Sequence, residues 1–81
     1  MASLKLNLGA GKDIRSDFVN HDIADLDGID IVHDLNCLPW PWENAQFEKI
    51  IALDLLEHLD EFFPVMEEIH RILKPGGVID I

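Results

Sequence analysis

The sequence predicts an α/β fold built on an open parallel sheet of five strands, in the order 3-2-1-4-5, with right-handed crossovers. Three observations lead there. Short apolar stretches alternate with turns along the whole chain, the helical period occurs once, and the first apolar stretch runs straight into a glycine turn. With 81 residues and 48% hydrophobic side chains, the chain makes one small globular domain, near the size at which a single core becomes marginal.

The first strand is Leu4-Lys5-Leu6-Asn7-Leu8, apolar and polar residues alternating at period two. Gly9-Ala10-Gly11 follows. Glycines at a strand's carboxyl end let the backbone turn sharply and let a ligand approach without a Cβ in the way. A plain strand-to-loop turn has the same sequence, so this motif alone decides nothing. Residues 9–16 allow at most one helical turn before the second strand, residues 17–21, which stops at Asp22. A carboxylate there suits a ribose, because it can accept hydrogen bonds from both hydroxyls. Against that reading, Asp22 lies only eleven residues past Gly11, where dinucleotide sites place the acid roughly 20 beyond the glycines; the spacing is consistent with a shortened crossover and does not demonstrate one.

Residues 23–28 form an acidic turn punctuated by Asp27-Gly28, and residues 29–33 read as the third strand, ending at Asp34. Two strands thus end in the same His-Asp dipeptide, His21-Asp22 and His33-Asp34. Asp34 could accept a bond from an exocyclic amine while the Leu35 N–H donates to a ring nitrogen; equally, it could cap the loop that follows. Leu38-Pro39-Trp40-Pro41-Trp42 is a stiffened loop. Its tryptophans either wall a ligand or plug the end of the core, the commoner use. Residues 47–53 make the fourth strand and lead into Asp54-Leu55-Leu56-Glu57-His58-Leu59, a loop with acids and a histidine.

Helical periodicity covers residues 60–74: Phe62, Val65, Met66, Ile69, Ile72 and Leu73 line one face, Glu67, Glu68 and Arg71 the other. Asp60 is the expected cap and Pro64 sits in the first turn. Lys74-Pro75-Gly76-Gly77 is expected to close the helix, and residues 78–81 to begin the fifth strand.

Six Lys and Arg against sixteen Asp and Glu give a formal net charge of -10. Such a chain repels nucleic-acid backbones and anionic membranes and favours a small cationic ligand. One cysteine, Cys37, permits no internal disulfide, and no apolar run serves as a signal peptide or bilayer span. A cytoplasmic location is expected.

In order and spacing these motifs resemble the class I S-adenosylmethionine-dependent methyltransferases of the small type 11 group. Leu6-Asn7-Leu8-Gly9-Ala10-Gly11 is similar to that family's glycine motif, Asp22 to its ribose acid and Asp34-Leu35 to its adenine pair. Leu38-Pro39-Trp40-Pro41 with Phe47-Glu48 resembles the approach to its fourth strand. Leu56-Glu57-His58-Leu59 and the run from Glu68 through Lys74-Pro75-Gly76-Gly77 are similar to its later marks. Three departures stand out: Ala10 and Lys12 flank Gly11, the first crossover is short, and the family's last two strands do not follow Ile81.

The resemblance implies a Rossmann-like fold over residues 1–81, lacking the carboxyl-terminal part, with S-adenosylmethionine as cofactor and an unidentified methyl acceptor. It implies cofactor contacts from Asn7, Gly9, Ala10, Gly11, Asp22, Ile23, Asp34, Leu35, Leu53 and Asp54, with His58 as candidate base. Methyl transfer from a sulfonium is an in-line displacement with a neutral leaving group, so alignment supplies much of the rate and a base is optional. Two rivals stand beside it. One is a non-catalytic cofactor-binding or partner protein. The other is a metal site drawn from His21-Asp22, His33-Asp34 and Glu57-His58. Because parallel strands are usually apolar on both faces and only one helix is readable, self-association into a homo-oligomer is also expected.

Overall fold

A computed structural model describes residues 4–53, 55 and 60–81. Its strands are β1 (Leu4–Asn7), β2 (Val19–Asp22), β3 (Ile31–Val32), β4 (Phe47–Ile51) and β5 (Leu73–Asp80); one helix, α1 (Phe62–Ile72), precedes β5. They form a five-stranded sheet in the order β3-β2-β1-β4-β5. Every neighbouring pair is parallel, with Leu6 opposite both Val19 and Ile50, and His21 opposite Ile31. The expected order and direction are those observed. Residues between β1 and β2, and between β2 and β3, form turns without a helix.

Several boundaries differ from the sequence reading. The second strand begins at Val19, not Asp17, because Asp17 has φ 68 and belongs to the preceding turn. The third is confined to Ile31–Val32: the Asp30 carboxylate takes the Asn20 N–H at 2.8 Å, filling a ladder position with a side chain. The fourth stops at Ile51, although Ala52 N–H still donates to Asp80 O at 2.9 Å. The helix starts after Glu61, with no side-chain cap, so the expected Asp60 cap is not formed. Instead the Asp60 N–H donates to Asn36 Oδ1 at 3.2 Å.

The largest correction concerns Lys74-Pro75-Gly76-Gly77. The helix has already ended, and Leu73 pairs with Phe47 as the first residue of β5. The next pair is Lys49 with Val78, so residues 74–77 bulge out opposite Glu48 alone. Gly76, at φ 79, supplies the reversal, and an outer strand tolerates the missing N–H of Pro75.

One sheet face packs against α1. Leu6, Leu8, Ile50 and Ala52 meet Val65, Ile69 and Ile72, and Leu35, Trp40, Trp42 and Phe47 complete the cluster. Both tryptophans are therefore core residues: Trp42 stands edge-on to Phe47, Trp40 and His21, with ring centroids 5.9, 6.0 and 5.7 Å away. Trp40 Nε1–H is satisfied by Leu35 O at 2.9 Å. The opposite face is not apolar. Register places Lys5, Lys49 and Val78 side by side there, followed by Ile51, Asn7 and Asn20, the two asparagine side chains bonding each other at 3.1 Å. Apart from Ile51, which is buried on this face beside Asn7, the inner strands carry polar residues here instead of being apolar on both sides, so most of the cover is needed on the face that α1 supplies.

Candidate functional site

The carboxyl ends of β1 to β4 converge on one edge of the sheet, where open α/β folds place ligands. The glycine turn is held there by three bonds from successive residues. Gly9 N–H donates to His21 Nδ1 at 3.1 Å, Ala10 N–H to His21 O at 2.7 Å, and Gly11 N–H to Asp22 Oδ2 at 2.8 Å. Gly9 and Gly11 have φ 65 and 55, a region that side-chain-bearing residues rarely adopt. At Gly9 space is short as well, since a Cβ would stand 2.9 Å from Leu55 Cδ1. With these N–H groups engaged, and the Ala10 carbonyl itself accepting the Asp13 N–H at 2.8 Å, the turn has no amide left at residues 9–11 to cradle a phosphate.

Asp22 is bound on both sides, its Oδ1 accepting the Ala24 N–H at 3.0 Å. Each carboxylate oxygen keeps a further lone pair for a ligand hydroxyl. Asp34 Oδ1 accepts the Asn36 N–H at 2.9 Å and its carbonyl accepts the Cys37 N–H at 2.9 Å, so it shapes its own loop. It also lines a cleft at this edge of the sheet, and the two readings of Asp34 are compatible.

That cleft, of about 290 Å³, is lined by Gly9, Asp22, Ile23, Asp34, Leu35 and Leu53, together with His21, His33, Asn36 and Leu55. A neighbouring cleft of about 310 Å³ shares Gly9 and Leu53 and adds Asn7, Leu8, Ala10 and Asp13. Of the residues expected at the site, Asn7, Gly9, Ala10, Asp22, Ile23, Asp34, Leu35 and Leu53 line one cleft or the other. Gly11 lines neither; its contribution is the bond to Asp22. Asp54 and His58 lie outside the described residues. Among the described lining residues there is no lysine or arginine, and Asp13 is paired with Arg15 at 3.0 Å.

Leu8, Asp13, His21, His33, Asn36 and Leu55 were not among the expected cofactor contacts, although His21 and His33 were weighed as metal ligands. For His21 a signal existed in the repeated His-Asp dipeptide. Its ring Nε2 lies 2.8 Å from His33 O, so both nitrogens are engaged. Burial holds this imidazole below its ordinary range, opposed by the bond to His33 O and by Asp22. Among the described residues no group of three or more His, Cys, Asp or Glu is placed to hold a metal. Nor is any helix among them long and apolar enough to cross a membrane.

Residues 6–81 match a family described as a methyltransferase domain. Sterol 24-C-methyltransferase of Eremothecium gossypii is 32% identical over 80 residues, 98% of this chain and 16% of that protein. Sterol 4-C-methyltransferase strm-1 of Caenorhabditis elegans is 38% identical over 42 residues, 52% of this chain and 13% of that protein. A highly reducing polyketide synthase of Aspergillus aculeatus is 33% identical over 51 residues, 63% of this chain and 2% of that protein. The chain thus spans a small fraction of the curated relatives it matches. No solved structure gives a significant match.

Proposed function

The chain belongs to the methyltransferase domain family, and from that premise we propose that its two adjoining clefts bind S-adenosylmethionine for transfer of the methyl group to an acceptor. One observation carries the reading. The glycine turn has its N–H groups tied to His21 and Asp22 and lies where the two clefts meet, sharing Gly9. A turn so arranged favours the ammonium end of an amino acid over a pyrophosphate, and so separates this cofactor from a dinucleotide.

In this reading Asp22 accepts from the ribose hydroxyls, while Asp34 and Leu35 address the adenine among the apolar side chains of Ile23, Leu53 and Leu55. Asn7, Ala10 and Asp13 border the amino-acid end, and Gly11 holds Asp22 in place. The bound cofactor supplies an activated methyl on a sulfonium; Asp22 and Asp34 favour its positive charge at long range. Asp54 and His58 complete the proposal, His58 as the base for an acceptor that must lose a proton. The compartment proposed is the cytoplasm, from the single Cys37, with no nucleic-acid partner, from the net charge of -10.

S-adenosylhomocysteine should stabilise the fold, because a ligand that binds only the native state does so by mass action. At a hundredfold excess over Kd the gain is about 2.7 kcal/mol. For a domain of this size that raises Tm by roughly 10–20 °C. Differential scanning fluorimetry measures it; no shift with this ligand or with S-adenosylmethionine would remove the cofactor reading.

Self-association remains part of the proposal, through the outer strand and not through the open sheet face. Lys5 and Lys49 side by side oppose stacking of two open sheet faces. The outer strand β5 leaves Val78 58% exposed, with Ile81 57% exposed beyond it. At the start of α1, Phe62 and Phe63 stack edge-to-face in the open. Sedimentation at micromolar concentration should show a dimer that Val78→Lys weakens. A monomer throughout that range would exclude it.

A further inference from the structure

His21 stands where β2, the glycine turn, the end of β3 and the tryptophan loop meet, and it is 1% exposed. Gly9 N–H lies 3.1 Å from Nδ1, and His33 O lies 2.8 Å from Nε2. An amide N–H can only donate and a carbonyl can only accept. The ring is therefore neutral, with a bare Nδ1 and its proton on Nε2. The backbone carbonyl of the same residue takes the Ala10 N–H at 2.7 Å, so His21 fastens two successive links of the turn. Trp42, edge-on at 5.7 Å, stands against the ring.

We propose that His21 is a positioning residue of the cofactor site: with its proton on Nε2 it latches the glycine turn in its ligand-accepting shape, and a proton on Nδ1 releases the turn and the cofactor with it. The inference rests on the cofactor reading given above. A proton on Nδ1 would set donor against donor where Gly9 now bonds, and that partly buried N–H would lose its partner. The bond from Nε2 to His33 O survives protonation, so the ring stays anchored to the end of β3 and the displacement falls on the turn. The titratable groups around the ring are Asp22 on its own strand and His33 and Asp34 after β3. The glycine turn and Trp42 bring no charge. Desolvation outweighs the attraction of Asp22 and keeps the imidazole neutral near neutrality. A lowered histidine pKa in the folded state means that the unfolded chain binds the proton first. The latch is intact above the ordinary histidine pKa and fails as pH falls through the folded value.

The test is calorimetric titration of the chain with S-adenosylhomocysteine between pH 5 and 8, beside His21→Asn and His21→Gln. Asparagine keeps an acceptor near the Nδ1 position without a titrating group; glutamine keeps a donor near Nε2 and removes the acceptor for Gly9. The parent should bind with constant affinity above neutrality and about tenfold more weakly per pH unit once the ring titrates. His21→Gln should bind at least tenfold more weakly at pH 7.5. His21→Asn should recover most of that loss and show no break with pH. Without ligand, imidazole ¹⁵N shifts should report the Nε2–H tautomer, and the Gly9 amide should lose exchange protection as His21 titrates. Parent-like binding by His21→Gln, an Nδ1–H tautomer, or Gly9 protection unchanged through the titration would overturn the latch. Should the parent bind no ligand at any pH, the cofactor reading fails, while the tautomer and the Gly9 exchange still decide the latch. Circular dichroism checks that both variants fold; if His21→Gln does not, His21→Asn and the ligand-free spectra decide.

Discussion

Arg71→Ala is expected to destabilise the fold by about 2–4 kcal/mol, a large share of the roughly 4–12 kcal/mol available to a domain of 81 residues. Arg71 ties α1 to the tryptophan loop. Its Nε donates to Glu68 Oε2 at 2.6 Å, one terminal nitrogen to Trp42 O and Asn44 Oδ1 at 2.8 and 2.9 Å, and the other to Glu68 Oε1 and Trp40 O at 3.0 and 3.3 Å. Glu68 Oε1 in turn accepts the Trp40 N–H at 2.7 Å. Removing the guanidinium leaves two carbonyls without this donor and a carboxylate whose side chain is only 13% exposed. Arg71 itself is 28% exposed, which places the cost below that of a fully buried pair. Lysine should not rescue, because one ammonium cannot reproduce the planar fork.

The same pair sets a pH dependence. Hydrogen bonding to Arg71 holds the Glu68 carboxyl below the usual carboxylate range. Its contribution is therefore complete above the unfolded carboxylate pKa and lost as pH falls through the lower folded value. Urea unfolding at pH 7 and pH 4 measures both effects. The parent should weaken toward acid more than Arg71→Ala does; a variant within 1 kcal/mol of the parent at pH 7 would show that the clamp is dispensable.

Much of the sheet was legible because its signals are local. Leu4, Leu6 and Leu8 set the period of β1, turn residues punctuate the chain up to β3, and one amphipathic helix stands between β4 and β5, so order and direction followed from connection rules. What escaped depends on partners distant in sequence. Asp30 shortens β3 by reaching across to Asn20, and Leu73 leaves the helix because Phe47 offers it a strand partner. Composition could not choose between core and ligand for Trp40 and Trp42; the clamp from Glu68 and Arg71 decides it. At the site, the glycines and Asp22 were readable as chemistry that any ligand turn needs. His21 was readable only as a possible metal ligand, because its hold on the turn depends on the Gly9 N–H, twelve residues away, meeting its ring.

The largest effect on binding is expected from Asp22→Ala: a loss of about 10²–10³-fold in affinity for S-adenosylhomocysteine, with nearly all of the ligand-induced Tm rise. Two charge-assisted hydrogen bonds to ribose hydroxyls, at about 1.5–3 kcal/mol each, account for that size. The alanine variant carries a second defect, because Gly11 and Ala24 also lose the acceptors for their N–H groups. Asp22→Asn separates the two. Its one carbonyl oxygen can still take the Gly11 N–H, so the turn stays closed while the charge and the second acceptor are gone. It should melt within a few degrees of the parent and yet bind at least tenfold more weakly. A ligand lacking both ribose hydroxyls closes the cycle. If Asp22 acts through the ribose, this analogue should bind parent and Asp22→Asn with similar, weak affinity. If Asp22 only braces the glycine turn, the analogue should lose as much on mutation as the intact ligand does. Equal Tm shifts with intact ligand in the parent and in both variants would remove Asp22 from the site.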